Sequence, residues 1–248
     1  MNNLVLSIFP GIDLLGRAFE EIGYCVVRGP DVLWGGDIRA FHPPAGIWGG
    51  AIGGPPCQAF SSLRHMVEHN GYKVAENLIP EFERVVGEAQ PEWFLMENVR
   101  AAPLPQVDGY QVTSLLFNNR WTGAVQHRER RFSFGTRDGR ELKPEISALE
   151  ATEWAPAVLA SGGRPVQIKP GGNGEVKRSA MRNFGHKTST YLVEGIRLQG
   201  LPDDFLADAP FTVAGKIKVI GNGVPMETGR AMARAVRQLM ESNGRRKT

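Results

Sequence analysis

Cysteine is scarce in this chain: Cys25 and Cys57 are the only two in 248 residues. Two distant cysteines make neither a disulfide framework nor a four-ligand zinc site. A reducing cytoplasm is therefore the expected compartment. Long apolar runs are also missing. No segment approaches the roughly 18 to 20 uninterrupted apolar residues of a membrane span, so no membrane partner is expected. The opening "MNNLVLSIFPGIDLLG" has no basic n-region and is broken by Pro10, Gly11 and Asp13. It reads as a first strand and turn rather than a leader. A large excess of one charge sign is absent as well: the net charge of +3 is too small to name a partner. No internal repeat is found, and neither a GxGxxG nor a Walker GxxxxGK[ST] loop occurs.

What is present is an alternation of short apolar runs and amphipathic stretches. "LVLSIF" is a β-rich run closed by Pro10-Gly11. In "LLGRAFEEIG", Leu14, Leu15, Ala18, Phe19 and Ile22 recur at helical spacing, with Gly23 as the stop. "YCVVRG", "GIWGGAIGG" and "EWFLMENV" are further strand candidates, and "LIPEFERVVGEA" is an amphipathic helix candidate. This order predicts βαβ units in a doubly wound, Rossmann-like α/β sheet. Ligands of such sheets lie outside the carboxyl ends of the strands. The polar clusters Pro10 to Asp13, Asp31, Gly53 to Cys57 and Glu97-Asn98 all fall at predicted strand ends. From about Thr136 to Lys187 periodicity fades and glycine, proline and basic residues take over. "YLVEGIRLQG" restores it, and a last helix begins at Pro225 with Met226, Gly229, Met232, Ala233, Val236 and Met240 on one narrow face.

Cys57 carries the chemistry best. Pro55-Pro56 stiffens the backbone before it, Gly53-Gly54 permits close approach of a ligand, and a strand end beside a crevice suits a thiolate nucleophile. Glu97 ends the next apolar run with a carboxyl able to share a proton with a substrate nitrogen. In "QHRERRF", Arg128 and Arg130 share a face if the segment is a strand, and two guanidiniums suit a carbonyl oxygen or a phosphate. A nucleoside-bearing cofactor needs an aromatic face and a carboxylate for its ribose. Phe9, Asp31, Trp34 and Asp37 are the candidates, each also readable as core or turn. Between Arg164 and Lys187 stand six basic residues against one acid, Glu175, either a solvated surface or a phosphate-contacting one. "HMVEH", His65 to His69, has inverted zincin spacing but no evident third ligand, so no metal is expected.

"FPGIDLLG", "GDI", "GGPPCQAFS", "MENV", "QHRERR", "LQGLPDDF" and "GNGVP" occur in that order. The set resembles the ordered motifs of the DNA cytosine-5 methyltransferases, of the small bacterial or phage type. The resemblance implies an S-adenosylmethionine-dependent enzyme acting on double-stranded DNA, with the target cytosine flipped out of the stack. Cys57 then attacks C6, Glu97 serves N3, and Arg130 with Arg128 holds O2 and the flipped nucleotide. Pro56 and the loop from Gln58 to about Glu76 close over the site. For the cofactor the resemblance carries over Phe9, Gly11, Asp13, Leu14, Asp37, Ile38, Gly54, Leu78, Asn222 and Val224, with Asp31 as the nearest carboxylate for the ribose. Asp13 and Leu14 stand where the family usually has two glycines. The expected division is a catalytic domain, 1–135 plus 216–248, and a small target-recognition region, 136–215, in which Arg182 or Asn183 reads a base edge. A monomer is expected. Two other functions share these motifs: a tRNA cytosine-5 methyltransferase, and a non-catalytic DNA-binding protein on the same scaffold.

Overall fold

The computed structural model describes residues 2–60, 76–147, 155–160 and 189–244. Its strands are β1 (Leu4–Ile8), β2 (Cys25–Arg28), β3 (Gly50–Gly53), β4 (Trp93–Asn98), β5 (Gln111–Asn118), β6 (Gln126–His127), β7 (Glu129–Thr136) and β8 (Ala155–Pro156). Its helices are α1 (Leu14–Glu21), α2 (Ile79–Ala89), α3 (Ser189–Leu198), α4 (Val213–Asn222) and α5 (Met226–Gly244). Six strands form one sheet in the order β2-β1-β3-β4-β7-β5, and β6 pairs with β8 separately.

Side chains alternate across the sheet, and each face finds its own helices. Val5, Ile52, Trp93 and Leu95 point to one side and pack with Phe19 of α1 and Met232, Val236 and Met240 of α5. Leu6, Ala51, Phe94 and Met96 point to the other and meet Phe82, Val85 and Val86 of α2. With both faces covered, every residue of β4 is buried. The α1 and α5 helices approach closely because Gly229 has no side chain; a Cβ there would stand 2.7 Å from that of Ala18.

The sheet is parallel only in part. β2, β1, β3 and β4 run parallel, as their alternation with helices predicts, but β7 is antiparallel to β4 and to β5. β5 and β7 follow each other through a short turn and β6, a connection too short for a parallel crossover. The reversal has a functional consequence. It sets the beginning of β7 beside the end of β4, pairing Asn98 with Arg131 and Glu97 with Phe132. A parallel strand would have carried the arginines to the opposite pole.

A third apolar cluster joins Val158, Ile196 and Leu206 to Val219 and Ile220. It is built from α3, α4 and the segment 155–160. The expected domain boundary at 215/216 falls inside α4, because this helix buries one flank against α3 before its end turns toward α5. The whole basic stretch from Arg164 to Lys187, with Arg182 and Asn183, lies outside the described residues, as does "HMVEH".

Candidate active site

Cys57 opens a 3-10 turn, Cys57–Phe60, four residues after β3 ends. The approach is narrow. A Cβ on Gly53 would stand 2.5 Å from the carbonyl oxygen of Ile8, and one on Gly54 would stand 3.1 Å from Oε2 of Glu97. The buried Asn98 amide donates to the Pro55 carbonyl at 3.2 Å, tying the proline step to the end of β4. Glu97 is itself only 8% exposed, and its Oε1 accepts from Arg130 Nε at 2.8 Å. Arg130 also donates from Nη1 to the Glu129 carbonyl at 2.8 Å, which fixes the guanidinium plane. Three side chains expected together are thus gathered at the carboxyl ends of β3 and β4 and the start of β7. Burial pushes the Cys57 thiol above its ordinary value, and the Glu97 charge adds to this. Arg130 and then Arg128 pull it back. The cluster therefore offers a thiol whose pKa burial holds above its ordinary value, a rise that two cations partly offset, beside a carboxyl whose Oε2 faces the space kept open by Gly54.

Arg128 is the expectation that the structure redirects. It does not share a continuous strand with Arg130, because the chain breaks between β6 and β7 at this residue. Its guanidinium is buried and donates to three carbonyls: Val158 at 2.9 Å, Gly221 at 2.8 Å and Gly223 at 3.2 Å. These bonds engage both terminal nitrogens, while the buried Nε has no hydrogen-bond partner among the described residues. No carboxylate among the described residues is in contact with the guanidinium, and burial lowers its pKa to about 9, with the Arg130 charge adding to the effect.

The turn after β1 is held by other means. Phe9 (φ 57°), Gly11 (φ 55°) and Asp13 (φ 55°) are all left-handed. For a residue with a Cβ this conformation costs about 1–2 kcal/mol. Asp13 is compensated locally: it caps α1, with Oδ1 accepting from Gly16 N at 3.1 Å and from Ser7 Oγ at 2.8 Å. Arg28 Nε lies 2.8 Å from its Oδ2. Both oxygens are engaged within the fold, and burial raises the carboxyl's pKa. Asp13 thus caps α1 and pairs with Arg28. Leu14 is buried too and sits where a Cβ on Gly223 would meet it, so it joins α1 to the turn after α4.

Gly11 is latched from the second loop. Its N–H donates to Asp31 Oδ2 at 2.9 Å and its carbonyl accepts from the Trp34 indole at 2.8 Å. Asp31 Oδ1 meanwhile accepts from Leu33 N at 2.8 Å. A Cβ on Gly11 would meet nothing within 4 Å, so this turn borders open space. Trp34 keeps 58% of its surface exposed and lies 5.6 Å, ring to ring, from Phe211. Gly11, Asp31 and Trp34 therefore converge.

The remaining expected residues are placed individually. Asp37 caps the turn of the buried Ile38 through Arg39 N at 3.0 Å, and Leu78 is the cap residue of α2. Asn222 is exposed at the last turn of α4, while Val224 is buried in the first core. Sequence reasoning passed over Ser7 and Arg28, which nothing in their local pattern distinguishes. It also passed over Asn98 as a site residue, although "MENV" quotes it. Among the described residues, no group of three or more His, Cys, Asp or Glu side chains is placed to hold a metal ion. None of the described helices is long and apolar enough to cross a membrane.

Residues 48–159, which include Cys57, Glu97 and both arginines, match the family model described as C-5 cytosine-specific DNA methylase. Over that stretch the chain is similar to this family. Curated relatives agree. A type II methyltransferase, M.HgiDI of Herpetosiphon aurantiacus, is 36% identical over 98 residues, 36% of this chain and 31% of that protein. Another, M.NgoPII of Neisseria gonorrhoeae, is 29% identical over 184 residues, 59% of this chain and 52% of that one. These matches thus span about a third to a half of the relatives' own length. The fold is shared with solved structures. An Entamoeba histolytica methyltransferase aligns with TM-score 0.61 at 13% identity, over 97% of this chain and 99% of its own. A DNA modification methyltransferase described as putative, encoded in an E. coli prophage, aligns with TM-score 0.55 at 18% identity, over 96% and 99%.

Proposed function

We propose that this protein methylates C5 of cytosine in double-stranded DNA, using S-adenosylmethionine and a transient covalent bond from Cys57. The observation that carries this reading is the Cys57–Glu97–Arg130 cluster, with Arg130 Nε 2.8 Å from Glu97 Oε1 at the mouth of a glycine-lined strand end. Cytosine C6 is a poor electrophile until N3 is protonated or strongly hydrogen-bonded. Glu97 delivers that proton through Oε2, while its Oε1 is held by Arg130. The Cys57 thiolate adds to C6, and the electron pair moves toward C5. Bound S-adenosylmethionine supplies the electrophilic methyl group that C5 takes up. With S-adenosylhomocysteine as the leaving product, the C5 proton passes to water, the C5 electron pair expels the Cys57 thiolate, and N3 returns its proton to Glu97, restoring the ring. Arg130 supplies the guanidinium that meets O2. A stacked base cannot reach Cys57, so the nucleotide leaves the duplex.

The turn after β1 suits the cofactor. Gly11 borders open space, Phe9 is held in a strained conformation of the kind that collects at ligand sites, and Trp34 presents an exposed face beside it. Phe9, Gly11, Asp31, Asp37, Ile38, Leu78, Asn222 and Val224 form the candidate cofactor wall, and Gly54 the boundary with the catalytic cluster. The test is transfer of labelled methyl to cytosine-containing duplexes, with transfer RNA as the competing substrate. Label in duplex DNA alone is expected. Label in RNA alone moves the activity to RNA. No label with either, together with no heat of S-adenosylmethionine binding, leaves a scaffold that only binds.

A further inference from the structure

We propose that Arg128 is a positioning residue: a buried cationic clamp that locks the end of α4 and the base of the target-recognition region to the catalytic strands. This rests on the reading above that Cys57 is the nucleophile.

Three chain segments meet at one guanidinium. Its own backbone lies between β6 and β7, where the Arg128 carbonyl accepts from Asn119 N at 2.9 Å. Nη1 reaches Val158, in the segment 155–160 that leads toward the basic stretch. Nη2 reaches Gly221 and Gly223, at the close of α4 and beside Asn222 and Val224. The last carbonyls of a helix lack intrahelical donors and carry the negative end of its dipole, so a cation is favoured there. Gln199 completes the cap, its Nε2 donating to Ile220 O at 2.6 Å and Gly223 O at 3.2 Å. The packing is too close for any other residue at position 221, because a Cβ on Gly221 would strike the backbone of Leu159 and Ala160. "QHR", "LQG" and "GNG", far apart in sequence, are thus one buried knot.

The knot also acts through charge. Arg128 is buried with no carboxylate in contact and lies within electrostatic reach of Cys57 and Glu97. Among the described residues, the charged groups that face the Cys57 thiol are Glu97 of β4, Arg130 of β7 and Arg128 of the β6–β7 junction. Glu97 disfavours the thiolate and the two arginines favour it. Arg128 has no role at the nucleotide itself, so removing it alters the nucleophile without removing a substrate contact.

The experiment measures iodoacetamide alkylation of Cys57 against pH by mass spectrometry, in the full chain without DNA or cofactor. The exposed Cys25 serves as the internal reference. In Arg128→Met the Cys57 inflection is expected to rise by about one pH unit, a tenfold fall in thiolate below it. Arg128→Lys keeps the charge but not the fork. It is expected to hold the inflection while kcat for methyl transfer falls about tenfold and KM for DNA stays unchanged. Gln199→Met removes donors without charge and is expected to lower Tm but leave the inflection in place. A folded Arg128→Met with the wild-type inflection overturns the proposal. If Arg128→Met does not fold, Arg128→Lys decides: a wild-type kcat, or a raised KM for DNA, overturns it. Alkylation is read without methyl transfer, so failure of the proposed activity leaves a distinct trace: a shifted inflection with no transfer in any variant.

Discussion

The ends of β3 and β4 and the turn after β1 lie side by side on one sheet, yet they hold their functional groups differently. At β3–β4 the chemistry dictates residue type. The proposed reaction requires a nucleophile, a proton carrier and a cation, and assigns them to Cys57, Glu97 and Arg130, the last two in an ion pair of 2.8 Å. At the β1 turn only a backbone shape is required. Here the two glycines usual in the resembling family are replaced by Asp13 and Leu14. The turn keeps its left-handed path because Ser7, Gly16 and Arg28 hold Asp13, while Asp31 and Trp34 hold Gly11. Reacting atoms tolerate no substitute, whereas a shape can be reached by more than one set of side chains.

Substitutions sharpen this contrast, and the largest effects are expected at the chemical pole. Glu97→Gln keeps size and the acceptor toward Arg130 but cannot cycle a proton, so single-turnover transfer is expected to fall by about 10^3 with DNA affinity retained. Gly54→Ala removes no reacting group but sets a methyl 3.1 Å from Glu97 Oε2. The carboxyl must shift by a few tenths of an ångström, and kcat is expected to fall about tenfold. At the β1 turn the effects pass to binding and stability. Asp31→Ala frees the Gly11 N–H and is expected to weaken S-adenosylmethionine about tenfold by calorimetry, with kcat at saturating cofactor little changed. A loss of kcat equal to that of Glu97→Gln would erase the distinction between the two regions. The smallest effect is reserved for Asp13. Asp13→Ala is expected to cost about 2 kcal/mol through a lost cap and an unpaired Ser7 hydroxyl, lowering Tm by roughly 4–8 °C. Asp13→Gly is expected to recover about 1 kcal/mol of that, because glycine accepts the left-handed conformation.

The elements that position the site were legible where periodicity was strong. β1, α1, β2, β3, α2, β4 and α5 all fall on the apolar runs and helical spacings read from the chain. The antiparallel edge was not. β5, "QVTSLLFN", is half exposed and lacks clean alternation, and strand direction depends on connection length rather than on any residue. Cys57, Glu97 and Arg130 were legible because motif order and strand ends coincide. Arg128 was legible as a motif residue but not in its role. Two arginines spaced as Arg128 and Arg130 look equivalent in sequence, and only a break between β6 and β7 sends one to the reacting cluster and the other into the interior. The capping role of Asp13 was not legible for a related reason. Its partners Ser7 and Arg28 come from neighbouring strands, and no local pattern announces them.

The most direct measurement is covalent trapping on duplex DNA containing 5-fluorocytosine, with S-adenosylmethionine present, comparing wild type with Cys57→Ser. Fluorine cannot leave C5 as a cation, so the enzyme stalls after methyl transfer with its nucleophile still attached. The account predicts a denaturant-resistant adduct in the wild type, mapped to the Cys57 peptide, and none in Cys57→Ser. An adduct of equal yield in Cys57→Ser, or none with folded, cofactor-binding wild type on any duplex, would contradict it.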